Sequence, residues 1–362
     1  MRIYITGIDG YLGWTLAQHL VARGHHVGGC DSSLRRGLVK AADAESVIPI
    51  GSVATRQKLF KQHLQDVFTI NEIDVAKHAV LLRCELEEFE PDAIVHLAEI
   101  PSAPYSMQDG NKARFTQENN ILGTMNLLWA MRELCPDAHL LKLGTMGEYG
   151  TPDYVITESP SMPMDPGSFY HASKCADTLN IRLACRLWGL RSTDIMQGVV
   201  YGVRSSKHQF LTRFDVDEYF GTAINRFVAQ ALSGQDITVY GSGTQRRGFI
   251  PLRESMKCLT LALENPPRKS EYRVFNQLAE VMELRQLADA VALVHGSADV
   301  VHLDNLRGEA MAHLYVVRIE GLEALGYEPE LDMLGDIKAM MKDLEPYVGN
   351  IGDLTPTLRW NK

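Results

Sequence analysis

The sequence predicts an α/β fold: a doubly wound parallel sheet with a smaller C-terminal lobe. The first observation is that short apolar runs alternate with amphipathic stretches through the first two thirds of the chain. Such alternation indicates βαβ units whose strands are buried on both faces. The second is a glycine-rich turn that directly follows the first apolar run and opens a helical pattern. The third is that this rhythm ends after about Gly202.

The strands expected for the main sheet are apolar runs, at residues 2–6, 26–30, 93–97, 139–143 and 191–196. Between the first two runs, residues 14–23 have a helical pattern, and residues 77–88 have another before the third run. A strand, a glycine turn, a helix and a second strand in this order form the Rossmann βαβ unit. We therefore expect a Rossmann domain over residues 1–202.

The C-terminal part has a different pattern. A polar, aromatic segment at 204–221 is followed by a strand-like run at 237–240 and a glycine-rich turn at 241–248. Helical patterns follow at 252–264, 281–296 and 330–343. We expect residues 203–362 to form mainly a substrate-binding lobe, with some segments returning to the first domain. The cleft between the two parts is the expected substrate site.

Composition excludes several classes of protein. Hydrophobic residues make up 45% of the 362 residues, charged residues make up 22%, and the formal net charge is -9. Lys and Arg are scattered, so we expect no nucleic acid as a partner. No apolar run approaches the roughly 18 residues that a membrane span needs, so we expect no membrane association. The first expected strand begins at residue 2, so we expect no cleaved leader.

The six cysteines are widely spaced and form no C-x-x-C pair. This spacing indicates neither a zinc site nor a disulfide framework. We expect reduced thiols in a cytoplasmic protein, without a bound metal.

The glycine-rich turn predicts a dinucleotide site. Gly7, Gly10 and Gly13 are spaced so that the first two permit a tight turn close to a pyrophosphate, and the third lets helix and strand pack. The residues of this turn that we expect to face the cofactor also include Asp9, Tyr11 and Leu12.

An acidic residue at the end of the second strand predicts the choice of cofactor. Asp31 lies eighteen residues after Gly13, where its carboxylate can accept hydrogen bonds from the adenosine ribose hydroxyls. Because it would repel a 2′-phosphate, NAD is favoured over NADP. Arg35 and Arg36 lie nearby, and an arginine can instead accommodate that phosphate or belong to a solvated loop. Asp74 and Val75 are candidate adenine contacts. The alternative is that the Asp74 carboxylate caps the following helix.

Tyr170 and Lys174 form the expected chemical centre. Four residues apart at the start of a predicted helix, they lie on one face, so that the ammonium stands beside the phenol. A free phenol has a pKa near 10, and we expect Lys174 and the nicotinamide charge to lower it. Tyr170 would then take a hydroxyl proton as hydride leaves for NAD. The alternative is an accidental pairing of these two residue types in a long chain.

The glycine spacing resembles the extended short-chain dehydrogenase/reductase superfamily. The segment His96-Leu97-Ala98-Glu99 is similar to its cofactor-facing segment, and Asn119 to its mid-helix asparagine. The resemblance implies cofactor contacts at Leu97, Ala98, Glu99, Asn119, Gln197 and Val200.

The same resemblance implies a role for Thr145, since the superfamily places a Ser or Thr there to bind the sugar oxygen that Tyr170 deprotonates. The 4,6-dehydratases of the superfamily have Thr-Asp-Glu at this point, whereas this chain has Met146 and Gly147 after Thr145. That dehydratase activity is therefore disfavoured. Gly147 and Glu148 remain candidate substrate contacts, although Glu148 on a strand would point to the opposite face and be structural.

A second loop resembles the superfamily's substrate loop. It runs over 241–250, and its Arg247 is our choice for binding diphosphate oxygens, since a guanidinium binds them in a bidentate manner. Arg307 either binds the diphosphate in the same bidentate manner or forms an ion pair at the protein surface. Asn225 is a weaker candidate for a nucleotide or sugar contact.

Segments along nearly the whole chain resemble the UDP-sulfoquinovose synthase family, at 102–107, 142–152, 168–171, 197–202, 220–227 and 274–277. The resemblance implies oxidation of UDP-glucose at C4, loss of the C6 hydroxyl, addition of sulfite at C6 and return of hydride to C4. It implies Thr145, Tyr170 and Lys174 as the catalytic set. It also places His171 near sulfite, and Gln245 and Arg307 near the substrate.

The chain departs from that family where it has Ile100 and Pro101 in place of a Gln-Arg pair, and its stretch between Gly150 and Tyr170 is shorter. Two enzyme alternatives therefore stay open: a nucleotide-sugar 5,6-dehydratase and a 4-epimerase, neither adding sulfite. A non-catalytic dinucleotide sensor is a third, which the Tyr-Lys pair argues against. The superfamily implies a homodimer formed through the helices after Thr116 and after Tyr170.

Overall fold

Twelve strands are found in the part of the chain that the computed structural model describes, residues 1–64, 68–305, 308 and 314–358, with backbone alone at 62–64, 68 and 69. In chain order they are β1 Arg2–Thr6, β2 His26–Asp31, β3 Phe68–Glu72, β4 Ala93–His96, β5 His139–Thr145, β6 Arg191–Gln197, β7 Val199–Tyr201, β8 Ile237–Tyr240, β9 Arg246–Pro251, β10 Tyr272–Gln277, β11 Glu280–Glu283 and β12 Val300–Leu303.

The helices of the same residues are α1 Tyr11–Ala22, α2 Leu34–Ala41, α3 Val53–Leu64, α4 Ala79–Phe89, α5 Ala103–Ser106, α6 Gly110–Leu134, α7 Phe169–Trp188, α8 Ala223–Leu232, α9 Leu252–Glu264, α10 Leu284–His295, α11 Glu320–Ala324 and α12 Met333–Leu344. Two 3-10 helices, Met146–Tyr149 and Glu345–Asn350, complete the set.

The main sheet has seven strands, all parallel, in the order β10-β6-β5-β4-β1-β2-β3. The strand order reverses between β1 and β4, so the loops that leave these two strands diverge above the carboxyl end of the sheet. A ligand cleft opens at such a point in a doubly wound fold. The predicted α/β Rossmann architecture is confirmed.

Two hydrophobic cores cover the two faces of the sheet, and β1 shows why. Its Ile3 and Ile5 belong to the core that packs under α1 and α9, while Tyr4 belongs to the core under α4, α6 and α7. Successive side chains of a strand point to opposite faces, so an uninterrupted apolar strand serves both cores. This explains why the predicted strands are continuous apolar runs and do not alternate.

The lobe has a third core of its own, formed by α8, β8, α10 and α12, with Phe227, Val239, Val291 and Ile337 fully or nearly fully buried. β9 pairs with β7 and β11, and β8 pairs with β12. Two segments beyond residue 202 return to the first part: β10 forms the edge of the main sheet, and α9 packs in the core beside α1. The expected division at 202 stays a prediction.

Several element boundaries differ from those predicted. The first helix begins at Tyr11 instead of residue 14, because Gly10 already accepts the backbone N–H of Trp14 at 3.1 Å. The helix predicted from residue 281 begins at Leu284, because Glu280–Glu283 pairs with β9 as β11. The glycine-rich turn likewise ends early, at the start of β9. The segment 204–221 has neither helix nor strand.

Candidate active site

A cavity of about 810 Å³ lies at the carboxyl ends of the main-sheet strands and extends towards the lobe. Most predicted site residues line it. These are Gly7, Gly10, Tyr11, Leu12, Gly13, Asp31, Arg35, Asp74, Val75, Leu97, Ala98, Glu99, Asn119, Thr145, Gly147, Tyr170, His171, Lys174, Gln197, Val200, Asn225 and Arg247. Asp9, Glu148 and Gln245 do not line it, and Arg307 lies outside the described residues.

The glycine turn at one end of the cavity has no room for side chains. A Cβ on Gly7 would lie 2.7 Å from the backbone of Leu97, and a Cβ on Gly13 would lie 2.2 Å from the carbonyl oxygen of Gly7. Gly7 also has φ +78°, a left-handed conformation that favours glycine. The turn thus brings bare backbone and the N-terminus of α1 to the cavity, an arrangement suited to a pyrophosphate.

Asp31 is held in place by backbone donors. Its carboxylate accepts the N–H of Ser33 at 2.8 Å and of Asp9 at 3.0 Å. Burial and the nearby Asp9 carboxylate raise its pKa. Asp9 itself does not line the cavity, because it is buried in ion pairs with Arg36 and Arg56. Its contribution to the site is therefore to hold Asp31 through the backbone.

The two arginines that complicated the choice of cofactor have carboxylate partners. Arg35 pairs with Asp215 at 2.8 Å and stacks over the ring of Phe220, with the guanidinium carbon 3.6 Å from the ring centroid. Arg36 pairs with Asp9 at 2.7 Å. Both guanidinium groups are thus engaged within the protein, which favours ribose hydroxyls over a 2′-phosphate beside Asp31.

Asp74 lies before α4, and the N-cap residue of that helix is His78. The side chain of Asp74 accepts the backbone N–H groups of Ala76 at 3.0 Å and Lys77 at 3.2 Å. Asp74 therefore does not cap the helix as the alternative expected. Asp74 and Val75 line the cavity, and their contact with adenine stays a prediction.

Tyr170 and Lys174 line the cavity from the first two turns of α7, as predicted. Ser168 begins the helix by accepting the backbone N–H of His171 at 3.2 Å. Lys174 is buried; its ammonium lies 2.6 Å from a carboxylate oxygen of Glu99 and donates to the carbonyl of Leu143 at 2.5 Å. The lysine is thus fixed between the loop after β4 and the end of β5.

The pKa of Tyr170 differs from the expected direction. Desolvation of the phenol, and then the Glu99 and Glu148 carboxylates, raise its pKa above the ordinary value of 10. The expected lowering is therefore wrong for the chain by itself. The main physical reason is the burial of the phenol, and the negative charge of Glu99, which lies 2.6 Å from the Lys174 ammonium, adds to it.

Thr145 lies at the end of β5 and begins the 3-10 helix. Its hydroxyl oxygen accepts the N–H of Gly147 at 3.1 Å, and its own N–H donates to the carboxylate of Glu148 at 3.1 Å. An acceptor role towards Gly147 leaves the hydroxyl proton for a ligand oxygen in the cavity.

Glu148 is a structural residue in this arrangement. It is fully buried, and its carboxylate contacts the ammonium of Lys142 at 3.2 Å and the hydroxyl of Thr178 at 3.0 Å. Lys142 also contacts Asp194 at 3.1 Å and donates to the backbone carbonyl of Lys174 at 3.2 Å. This buried ionic cluster therefore joins the two strands β5 and β6 to α7, which carries Tyr170.

His171 packs against Gly147 at the wall of the cavity. A Cβ on Gly147 would lie 2.3 Å from the imidazole Nε2, so the ring needs a glycine there. Burial, and then the charge of Arg247, lower the pKa of His171 to about 4, so the imidazole is neutral at neutral pH. Its Nδ1 is buried without a hydrogen-bond partner among the described residues. A neutral ring with an unused nitrogen is suited to binding a polar ligand atom.

The predicted substrate loop is only partly at the cavity. Arg247 on β9 lines it, together with Asn225 on α8, whose side chain accepts the N–H of Gly202 at 3.2 Å. Gln245 is fully buried, and its amide donates to the carbonyl of Tyr240 at 3.4 Å. Gln245 therefore shapes the turn before β9 and does not reach the cavity.

Sequence reasoning missed a group of lining residues from the irregular segment 204–221 and from elsewhere in the lobe. They are Arg213, Asp215, Tyr219, Phe220 and Tyr315. The abundance of aromatic and charged residues in 204–221 was the available signal. Its placement depends on pairings such as Arg35 with Asp215, which are 180 residues apart.

Within the described part of the chain, no cluster of three or more His, Cys, Asp or Glu side chains could hold a metal ion. None of its helices combines the length and apolar character needed to cross a membrane. All six cysteines are described and have free thiols.

Comparisons with known proteins agree with this geometry. Residues 3–276 match the model of the "NAD dependent epimerase/dehydratase family". A UDP-sulfoquinovose synthase from Sulfolobus acidocaldarius is 39% identical over the whole chain and 98% of that protein. The chloroplastic UDP-sulfoquinovose synthase of Spinacia oleracea is 36% identical over the whole chain and 79% of that protein.

Among solved structures, a UDP-glucuronic acid 4-epimerase from Bacillus cereus, in complex with UDP-glucuronic acid and NAD, has the same fold. Its TM-score is 0.77 at 22% identity, over 96% of this chain and 99% of that one. The bare glycine turn, the helix N-terminus and the Asp31 carboxylate together fit the dinucleotide that the matching family uses. The chain belongs to the NAD dependent epimerase/dehydratase family of enzymes.

Proposed function

We propose that this enzyme converts UDP-glucose and sulfite to UDP-sulfoquinovose, with NAD as a cofactor that is restored in each turnover. The observation that carries the proposal is the likeness to two UDP-sulfoquinovose synthases over the whole chain, at 39% and 36% identity. The cavity supports it, because Thr145, Tyr170 and Lys174 line the same space as the glycine turn.

The proposed reaction begins at C4 of the sugar. When bound, NAD supplies the acceptor for the C4 hydride and the donor that later restores it. Tyr170 takes the O4 proton, Lys174 holds a positive charge beside the phenol, and Thr145 donates a hydrogen bond to O4. The resulting ketone acidifies the C5 proton, so that water leaves across C5 and C6.

The second half adds sulfur. Sulfite attacks C6 of the enone, C5 regains a proton, and Tyr170 returns its proton to O4 as C4 is reduced. His171, neutral and with an unused nitrogen, is the residue that we assign beside the incoming sulfite. Arg247 is the cation that acts electrostatically on His171, and we assign it to the diphosphate or the sulfite side of the substrate.

We assign NAD to the end of the cavity with the glycine turn. Its proposed contacts are Gly7, Gly10, Tyr11, Leu12, Gly13, Asp31, Arg35, Asp74, Val75, Leu97, Ala98, Glu99, Asn119, Tyr170, Lys174, Gln197 and Val200. For UDP-glucose we propose Thr145, Gly147, Tyr170, Asn225 and Arg247.

One observation favours a second candidate function. Ile100 is buried, with its backbone N–H and carbonyl bound by the side chain of Asn120, and Pro101 lines the cavity where the resembled family has an arginine. An apolar pair here removes a cation from the neighbourhood of a dianionic nucleophile. A 5,6-dehydratase or 4-epimerase, which handles no sulfite, would not need that cation.

The products of purified enzyme separate these functions. The protein is incubated with UDP-glucose, with and without sulfite, and the nucleotide sugars are analysed by mass spectrometry and chromatography. We expect a sulfonated UDP-sugar only when sulfite is present. Loss of water without sulfur incorporation would instead establish the 5,6-dehydratase, and UDP-galactose the 4-epimerase. A chain that binds NAD but alters no UDP-sugar would be a dinucleotide sensor.

We also propose a homodimer, formed by α6 and α7. Large apolar side chains on these helices are 43% to 62% exposed, at Leu122, Trp129, Phe169, Leu179, Leu183 and Leu187. Single exposed leucines are common on protein surfaces, whereas a group of large exposed apolar side chains is typical of a protein interface. For the location we propose the cytoplasm, since six free thiols suit a reducing compartment.

A further inference from the structure

Glu99 contacts the catalytic lysine in a way that the reaction described above does not use. Its carboxylate lies 2.6 Å from the Lys174 ammonium, and the side chain is 3% exposed. The residue is placed by the loop after β4, where its N–H donates to the carbonyl of Leu97 at 2.9 Å. Two charges this close, and this poorly solvated, largely cancel each other's field at neighbouring groups.

The other ionisable groups around Glu99 do not replace Lys174 as its partner. Those that face it are His96 from β4, Lys142 from β5, and Tyr170, Lys174 and Asp177 from α7. His96 Nε2 is 3.9 Å away, but burial lowers the pKa of this histidine to about 4, so it is neutral.

Two further neighbours complete this environment. Lys142 is held by Glu148 at 3.2 Å and Asp194 at 3.1 Å. Burial, and then the charge of Glu99, raise the pKa of Asp177 well above its ordinary range, so this carboxyl adds little negative charge. The charge in direct contact with Glu99 is therefore that of Lys174.

We propose that Glu99 is a positioning residue that acts through Lys174 to set the pH at which Tyr170 exchanges its proton with the sugar. This inference rests on the proposed function, in which Tyr170 first removes the O4 proton and later returns it. A phenol that is too acidic opposes the closing reduction, and one that is too basic opposes the opening oxidation. A carboxylate that offsets part of the lysine charge balances the two steps. The pKa of Tyr170, which Glu99 raises, agrees with this role.

The test is the Glu99→Gln variant, which keeps the side-chain size and removes its charge. Single-turnover reduction of enzyme-bound NAD by UDP-glucose is followed by absorbance across a pH series. We expect the rising limb of the rate to move to lower pH by about one unit, since removal of a nearby charge changes the pKa of a group by roughly that amount or more. Glu118→Gln, an exposed acid on α6 that pairs with Arg114, is the matched control and should leave the limb in place.

Three further measurements separate this role from a structural one. The dissociation constant of NAD and the melting temperature report on binding and folding, and neither a loss of affinity nor a loss of stability by itself moves a pH limb. In a Lys174→Met background, Glu99→Gln should shift the residual profile by less, because only the direct effect of the carboxylate on Tyr170 then remains. If Glu99→Gln does not fold, Glu99→Asp serves instead, because it moves the carboxylate away by one methylene. This variant should shift the rising limb of the pH–rate profile in the same direction, but by less.

An unchanged rising limb in a folded Glu99 variant would overturn the inference, and so would a shift that is equally large without Lys174. Failure of the proposed function would look different. In that case the wild-type enzyme itself would form no NADH with UDP-glucose at any pH.

Discussion

The phenol of Tyr170 is the single group on which both proposed hydride transfers depend. Tyr170→Phe removes the hydroxyl and leaves the ring, so we expect NAD to remain bound while turnover with UDP-glucose falls by about 10²-fold to 10⁴-fold. Loss of NADH formation in a stopped-flow experiment, together with unchanged NAD binding by calorimetry, would check this. Tyr154→Phe, at a 37% exposed tyrosine, is the control that should retain activity. Full activity in the Tyr170 variant would disprove the proposed mechanism.

Lys142 does not line the cavity, but it holds together residues that support it. It is completely buried between Glu148 and Asp194, and its ammonium also contacts the carbonyl of Lys174. Removal of one partner from a buried ion pair leaves uncompensated charge in a poorly solvated site.

We therefore expect Lys142→Met to lower the free energy of unfolding by about 3 to 5 kcal/mol. The shift in the midpoint of urea-induced unfolding measures it. Lys338→Met, at an exposed lysine of α12, should change the midpoint little. A midpoint for Lys142→Met equal to that of the wild type would mean that the cluster adds no net stability.

Among the elements, the segment between the 3-10 helix and α7 forms a wall of the cavity, and Glu158 ties it to the sheet. The carboxylate of Glu158 accepts the N–H of Asn276 on β10 at 2.8 Å and the N–H of Gly321 on α11 at 2.5 Å. Asp165, Pro166 and Gly167 from the same segment line the cavity. Burial is the main cause that raises the pKa of Glu158 to about 7, with Glu320 and Glu323 adding to it.

With this pKa, the contribution of Glu158 to stability depends on pH. Because the folded pKa of about 7 lies above the ordinary 4.5, the folded chain binds more protons between these values, and its stability falls as pH rises through this range. After screening by solvent, we expect on the order of 1 kcal/mol. The difference in melting temperature between wild type and Glu158→Gln should therefore be larger at pH 5 than at pH 8, by about 2 °C. An equal difference at both pH values would contradict the assignment.

The elements that sequence reasoning found are those whose signal is local. The apolar run of β1 predicts a buried strand, because buried positions need apolar residues. The glycine turn before α1 predicts a cofactor site, because a close approach of the backbone needs glycine. β11 was missed within a helical pattern, because its four residues become a strand only by pairing with β9. No local pattern encodes that pairing.

The candidate site follows the same rule. The four-residue spacing of Tyr170 and Lys174 predicts a shared helix face, and the structure shows it. Glu99 was expected to face the cofactor, but its pairing with Lys174 joins residues 75 positions apart and was not foreseen. Burial of the phenol, with the Glu99 carboxylate adding to it, reverses the expected shift in the pKa of Tyr170. Spacing predicts which groups share a face, whereas electrostatics depends on contacts between distant segments.

At the scale of the whole molecule, the apolar face of α6 and α7 bears on how the enzyme assembles. The two helices pack against each other and share the core under the main sheet, yet their outer leucines remain exposed. In a two-fold dimer each residue of such a face occurs twice, so one substitution places two charges in the interface.

We therefore expect Leu183→Glu to convert a dimer into a monomer. Leu183 is 43% exposed on α7, so a charge there costs the monomer little, whereas burying two carboxylates in an apolar contact is unfavourable. Light scattering at micromolar protein concentration should show the wild-type mass halved, while Leu293→Glu, at a 71% exposed leucine of α10 in the lobe, should leave the mass unchanged. A monomeric wild type, or a dimeric Leu183→Glu variant, would show that α6 and α7 do not form the interface.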